Sequence, residues 1–157
     1  MTHSTITDRI HTLFERIPPF DRLPEEERND LLTDVAIEYY NTGEVLIEQG
    51  STVHKGLFIV ESGTVRLMDI DNQRLLDKCG EEDFFGSFGL IKGGGAIYEA
   101  KAVDPTVCAL LKASRFNQLY DRHEEFAAFF DSDIKRYVRR MDQDIDVTGG
   151  HLLSIRR

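Results

Sequence analysis

The chain has 157 residues, with 28 acidic and 19 basic side chains and a net charge of -9. That length suits one domain able to bury its own core without a disulfide or metal staple. An apolar share of 41% with ten Phe and five Tyr excludes wholesale disorder, and the acidic balance excludes a general nucleic-acid binder, because phosphate neutralisation needs clustered Lys and Arg.

Residues 1–36 read as helices. Ile6, Ile10, Leu13, Phe14 and Ile17 recur at spacings of three and four until Pro18-Pro19 stops the run. A second helix starts at Pro24, with Glu25, Glu26 and Glu27 at its positive end and Leu31, Leu32 and Val35 as its buried face.

Residues 37–112 switch to strand character: short segments rich in Val, Ile, Leu, Phe and Tyr, separated by Gly43, Gly50, Gly56, Gly63, Asp71-Asn72, Gly80 and Gly86. Frequent turn signals with no long helix between them predict an antiparallel sandwich or barrel. LFIVESGTVRLMDI reads as two strands joined at Ser62-Gly63, where glycine permits positive φ.

Residues 113–145 return to helix. A short element carries Phe116, Leu119 and Tyr120. A long one carries a narrow seam of Phe130, Ile134, Tyr137 and Met141. Residues 146–157, with a Gly-Gly break, read as a tail or linker. Cys79 and Cys108 show no CxxC spacing, which points to a reducing, cytoplasmic setting. The longest apolar run, Val107–Leu111, is far below the ~18 residues of a membrane helix, and no basic start with an apolar stretch opens the chain, so neither a membrane nor a secretory route is expected.

Catalytic arrangements are scarce. His3, His11, His54, His123 and His151 have no metal-ligand spacing, and no nucleophile elbow, Walker loop or GxGxxG is present, so neither an enzyme nor a metal site is expected. Glu81-Glu82-Asp83 reads as a solvated turn. One segment stands out, DFFGSFGLIKGGGAIYEAKAV. It reads as a strand into Phe85-Gly86, one helical turn, three glycines and a strand again. Its backbone N–H groups suit an anion, and a plain connecting loop fits equally well.

The order of elements resembles the cyclic-nucleotide-binding domain family: YYNTGEVLIEQGS, KGLFIVESGTVRL, EEDFFGSFGLI, then EAKAVDPTVCALLKASRFNQL, with Gly43, Gly50, Gly63 and Gly86 where that family places glycine. PPFDRLPEEE and HEEFAAFF are similar to a bacterial subgroup in which the domain precedes cystathionine-β-synthase-type (CBS) repeats and a nucleotidyltransferase. Those domains are not contained in this chain.

The resemblance implies a mainly β fold with flanking α, an antiparallel jelly-roll barrel of about eight strands with N-terminal helices and a long C-terminal helix. It also implies a ligand cassette at Phe85, Gly86, Ser87, Phe88, Gly89, Leu90, Gly94, Gly95, Ala96 and Tyr98. Nucleotide-binding members carry Glu at the Ser87 position, for the ribose, and Arg at the Ala96 position, for the cyclic phosphate. Both anchors are absent here. A charge-assisted hydrogen bond contributes ~1.5–3 kcal/mol, so losing the Arg alone weakens binding by roughly 10- to 150-fold. Lys92 and Lys101 are the nearby cations.

The expected function is therefore a degenerate sensor or regulatory module. Its ligand would be weakly bound cyclic AMP or GMP, or another small anion, and its output would pass through its terminal helices. It would carry no other cofactor and would form a homodimer through Phe130, Ile134, Tyr137 and Met141. The alternative is a scaffold or dimerisation module that binds nothing small.

Overall fold

The structure, a computed structural model, describes residues 5–149, with side chains described through Arg139. Helix α1 spans Ile6–Arg16 and buries Ile10, Leu13 and Phe14. Thr5 and Asp8 cap it reciprocally: the Thr5 hydroxyl accepts the Asp8 N–H at 3.0 Å and the Asp8 carboxylate accepts the Thr5 N–H at 3.3 Å. A 3-10 turn (Phe20–Arg22), helix α2 (Glu25–Asp30) and a second 3-10 turn (Leu31–Asp34) follow. Val35, expected on the face of that helix, instead opens the first strand.

Eight strands come next: β1 (Val35–Tyr40), β2 (Val45–Ile47), β3 (Gly56–Ser62), β4 (Val65–Asp69), β5 (Arg74–Cys79), β6 (Phe84–Phe85), β7 (Glu99–Ala102) and β8 (Thr106–Lys112). Helix α3 (Ser87–Lys92) lies between β6 and β7, and α4 (Ala113–Arg122) and α5 (Glu124–Gly149) close the described chain. Among the described residues, no helix is long and apolar enough to cross a membrane.

The eight antiparallel strands do not close into the expected barrel. They form two four-stranded sheets, β1-β8-β3-β6 and β2-β7-β4-β5. The edge strands β2 and β6 have three and two residues, too short to continue pairing from one sheet to the other. Gly63, at φ 96°, is not a hairpin turn either. It passes the chain from β3 in one sheet to β4 in the other, and a Cβ there would lie 2.5 Å from the Pro105 carbonyl oxygen.

The core has two parts, and β3 is their common wall. Leu57 and Ile59 face a helical cluster with Phe14, Phe20, Phe116, Phe126 and Phe130. The alternate residues Phe58 and Val60 face the space between the sheets, with Leu67, Leu76, Phe85 and Ala100. The period of two along a strand buried on both faces produces this division. The helical cluster uses edge-on ring contacts, with centroids 4.8 Å apart for Phe14–Phe20 and 5.0 Å for Phe116–Phe130.

Two expectations about the C-terminal helix change. It runs to Gly149, past the expected end at 145. The seam proposed for a dimer faces inward: Phe130, Ile134 and Tyr137 are 0%, 4% and 3% exposed in the single chain. Phe130 completes the helical cluster and Tyr137 the inter-sheet cluster, so neither is free to meet a second copy. Met141 lies outside the residues whose side chains are described.

Candidate functional site

The cassette forms as the glycine spacing demands. Gly86 takes φ 101° at the N-cap of α3, which an L side chain resists, and Gly93 and Gly94 take φ 70° and 75° just beyond its C-terminus. Phe85 points into the core, stacked on Phe58 with ring centroids 5.1 Å apart. Leu90 packs under the helical cluster. Phe88 is half-buried on α3.

Where an open cleft would expose the start of α3, the chain's own side chains are packed. The Gly86 N–H donates to the Tyr98 hydroxyl at 2.9 Å, and Tyr98 is 4% exposed. Tyr137 from α5 lies against it, ring centroids 5.9 Å apart. The Tyr137 hydroxyl donates to Asp77 of β5 at 3.0 Å. Ser87 is buried, 3% exposed, and lies near the Asp133 carboxylate of α5, whose ionised form it favours.

Arg136 completes this polar knot. Its guanidinium donates to Asp133 at 3.1 Å, lies 3.8 Å from Asp77, and sits over the Tyr137 ring at 4.8 Å. Burial holds the Asp133 carboxyl above the ordinary aspartate value. Arg136 pulls it down, and the neighbouring Asp77 adds to the rise. Burial likewise raises the Tyr98 and Tyr137 hydroxyls, which are neutral donors and acceptors here.

The second half of the cassette is held by the loop between β2 and β3. The Ala96 N–H donates to the Ser51 carbonyl at 2.9 Å, and its own carbonyl accepts the Gly50 N–H at 2.8 Å. His54 donates from Nε2 to the Gly94 carbonyl at 2.7 Å. Its ring occupies the place a Cβ at Gly89 would take, and a Cβ at Gly95 would stand 2.9 Å from the Gly50 carbonyl oxygen. These glycines are therefore close-approach positions for a neighbouring loop. Of the two lysines considered as replacement cations, Lys92 is exposed and Lys101 lies 4.0 Å from Glu99.

Sequence reasoning missed His54, Asp77, Asp133 and Arg136. The i,i+3 spacing of Asp133 and Arg136 is visible in the chain, but nothing there shows that β5 supplies a second carboxylate. Among the described residues no cluster of His, Cys, Asp and Glu could hold a metal ion. Cys79 and Cys108 are free and buried. Burial raises both thiols, Cys108 to about 12, so neither is a nucleophile near neutral pH.

Comparison with known proteins places these features in a family. A model of the cyclic nucleotide-binding domain matches residues 37–123. Among solved structures, cAMP-bound PfPKA-R superposes with a TM-score of 0.77 at 16% identity, covering 87% of this chain and 46% of that one. The regulatory subunit of a cAMP-independent protein kinase A from Trypanosoma brucei gives 0.74 at 17%, covering 87% and 51%. The catabolite activator protein of Thermus thermophilus gives 0.65 at 25%, covering 87% and 62%. The chain thus spans less than two thirds of each of these proteins.

Proposed function

The chain belongs to the cyclic nucleotide-binding domain family, and on that premise we propose that it is a regulatory module with a self-filled cassette, binding cyclic AMP and cyclic GMP weakly or not at all. The observation that carries this reading is the Tyr98–Gly86 hydrogen bond with Tyr137 packed behind it. A nucleotide entering beside α3 has to displace two buried aromatic rings. It then meets Ser87 and Ala96, neither of which supplies a charge, so much of the phosphate's desolvation goes uncompensated.

Output passes through the terminal helices, since α5 meets the cassette where Tyr137 packs on Tyr98 and is tied to the sheet by Tyr137–Asp77. A signal requires an input that favours one arrangement of these helices over another. Its proposed setting is the cytoplasm, and its proposed partners are CBS-type repeats and a nucleotidyltransferase. A scaffold that takes no small ligand is the second reading, favoured by the paired Gly50, Ser51 and Ala96 backbone that closes the cassette loop.

Titration calorimetry with each nucleotide tests the proposal. The expected dissociation constant lies above ~100 μM, and low-micromolar binding overturns it. Ala96→Arg with Tyr98→Ala separates the two readings: a gain in affinity marks an emptied regulatory pocket, and no gain marks a scaffold.

A further inference from the structure

The two faces of the sheet β2-β7-β4-β5 differ in character. Val65, Leu67, Ala100 and Ala102 turn into the space between the sheets. The residues that alternate with them, Arg66 on β4 and Lys101 on β7, therefore turn outward, away from the cassette. Lys78 on β5, beside the buried Cys79, is exposed on the same side. The register makes these cations direct neighbours: Lys101 pairs with Arg66 across β7 and β4, and Arg66 pairs with Lys78 across β4 and β5. Like charges directly opposite one another on adjacent strands are unfavourable. Three of them form a row on a chain whose net charge is -9.

Compensation within the chain is thin. Arg66 and Lys101 share one carboxylate, Glu99, at 3.9 and 4.0 Å, too far for a hydrogen bond. Lys78 has no ion-pair partner among the described residues, and the Arg66 Nε is buried with no acceptor. The helical cluster packs on the other sheet.

We propose that this outer face docks an acidic helix of a partner protein, with carboxylates on Lys101, Arg66 and Lys78 and flanking apolar side chains on Val45 and Leu75. Charge complementarity sets the sign of the partner, because three cations stand against one carboxylate. The spacing sets its form. Adjacent strands lie ~4.8 Å apart, close to the ~5.4 Å pitch that separates acidic residues on successive turns of a helix. Same-face residues of an extended segment are about 6.8 Å apart, a poorer match. A helix laid across the strands therefore meets the row turn by turn. Val45 continues the row beyond Lys101, and Leu75 lies on β5 opposite Met68. They are 42% and 53% exposed, so docking removes apolar surface from water at both ends. The face lies outside the sandwich, so docking there does not depend on whether the cassette is filled.

A synthetic helical peptide with Glu at every fourth position and flanking Leu is the probe, read by fluorescence anisotropy at low ionic strength. Its Gln counterpart and a single-stranded oligonucleotide are the controls. The expected result is saturable binding of the Glu peptide alone, weakening as salt is added. Lys78→Glu is expected to weaken it about tenfold, and Lys78→Arg to retain it. Because Lys78→Glu sets an opposite charge beside Arg66, its melting temperature is expected to stay or rise, which separates lost docking from lost folding. Lys112→Glu makes the same charge change on β8 of the other sheet and is expected to leave binding unchanged. No saturable binding, equal binding of the Gln peptide, tighter binding of the oligonucleotide, or an equal loss from Lys112→Glu overturns the proposal.

Discussion

Tyr98 Oη accepts the N–H of Gly86, a bond of 2.9 Å between the residue that precedes β7 and the residue that opens the cassette. Gly86 has to be glycine for its φ of 101°, and its half-buried N–H is satisfied by this bond. Tyr98→Phe keeps the ring and removes the acceptor. It is expected to cost about 1–3 kcal/mol in urea unfolding, whereas Tyr98→Ala, which also empties space beside Tyr137, is expected to cost about 3–5 kcal/mol. Equal effects of the two changes would mean that the hydroxyl contributes nothing.

The inward seam of α5 makes a prediction opposite to that of a dimer helix. Ile134→Glu and Tyr137→Glu each bury a charge without a partner and are expected to destabilise the chain itself by about 3–5 kcal/mol. Val138→Glu, at a position 41% exposed one residue along, is expected to leave stability unchanged. Circular dichroism melts of the three variants provide the check, and an Ile134→Glu melt no lower than that of Val138→Glu would refute the inward packing.

His54 and Gly89 are expected to be energetically coupled. Gly89→Ala drives a methyl into the imidazole and is expected to destabilise by about 1–3 kcal/mol. In a His54→Ala background the methyl has room, so the double-mutant cycle should return a coupling of about 0.5–3 kcal/mol. Strict additivity would place the ring elsewhere.

Much of this architecture is legible in the chain because it rests on local chemistry. Gly43, Gly50, Gly63 and Gly86 all take positive φ, and only glycine adopts that region freely. The apolar run of α1 and its stop at Pro18 need no tertiary information. What could not be read is which partner meets a given face. Periodicity finds the stripe through Phe130, Ile134 and Tyr137, and the same stripe serves a second copy or the chain's own strands. Sheet closure escaped for the same reason, since alternation assigns a strand two faces but no neighbours. The filling of the cassette depended on Tyr98 and Tyr137, which are 39 residues apart and meet only in the fold.

Asp69 and Asp133 should respond to acid with opposite signs. Asp69 is held below the ordinary aspartate value: burial opposes ionisation, but side-chain bonds from Asn72 and Gln49 at 2.7 and 3.0 Å outweigh it. Its stabilising contribution is present above the unfolded value and is lost as pH falls through the folded one. Asp133 is raised, so its contribution is fully present below the unfolded value and is lost as pH rises through the folded one. Asp69→Asn is therefore expected to lower the melting temperature at pH 7 and to have a shrinking effect toward pH 3. Asp133→Asn is expected to be neutral or stabilising at pH 7 and to lose that advantage in acid. Melts across pH 3–7 decide both signs.

Because β3 presents Leu57 and Ile59 to one core and Phe58 and Val60 to the other, the helical cap and the sandwich share a single load-sharing member. Neither can loosen alone without stripping one side of that strand. The domain should therefore melt as one unit rather than shed its helices first, and a signal that reaches the terminal helices has to travel as a shift of intact elements rather than as partial unravelling.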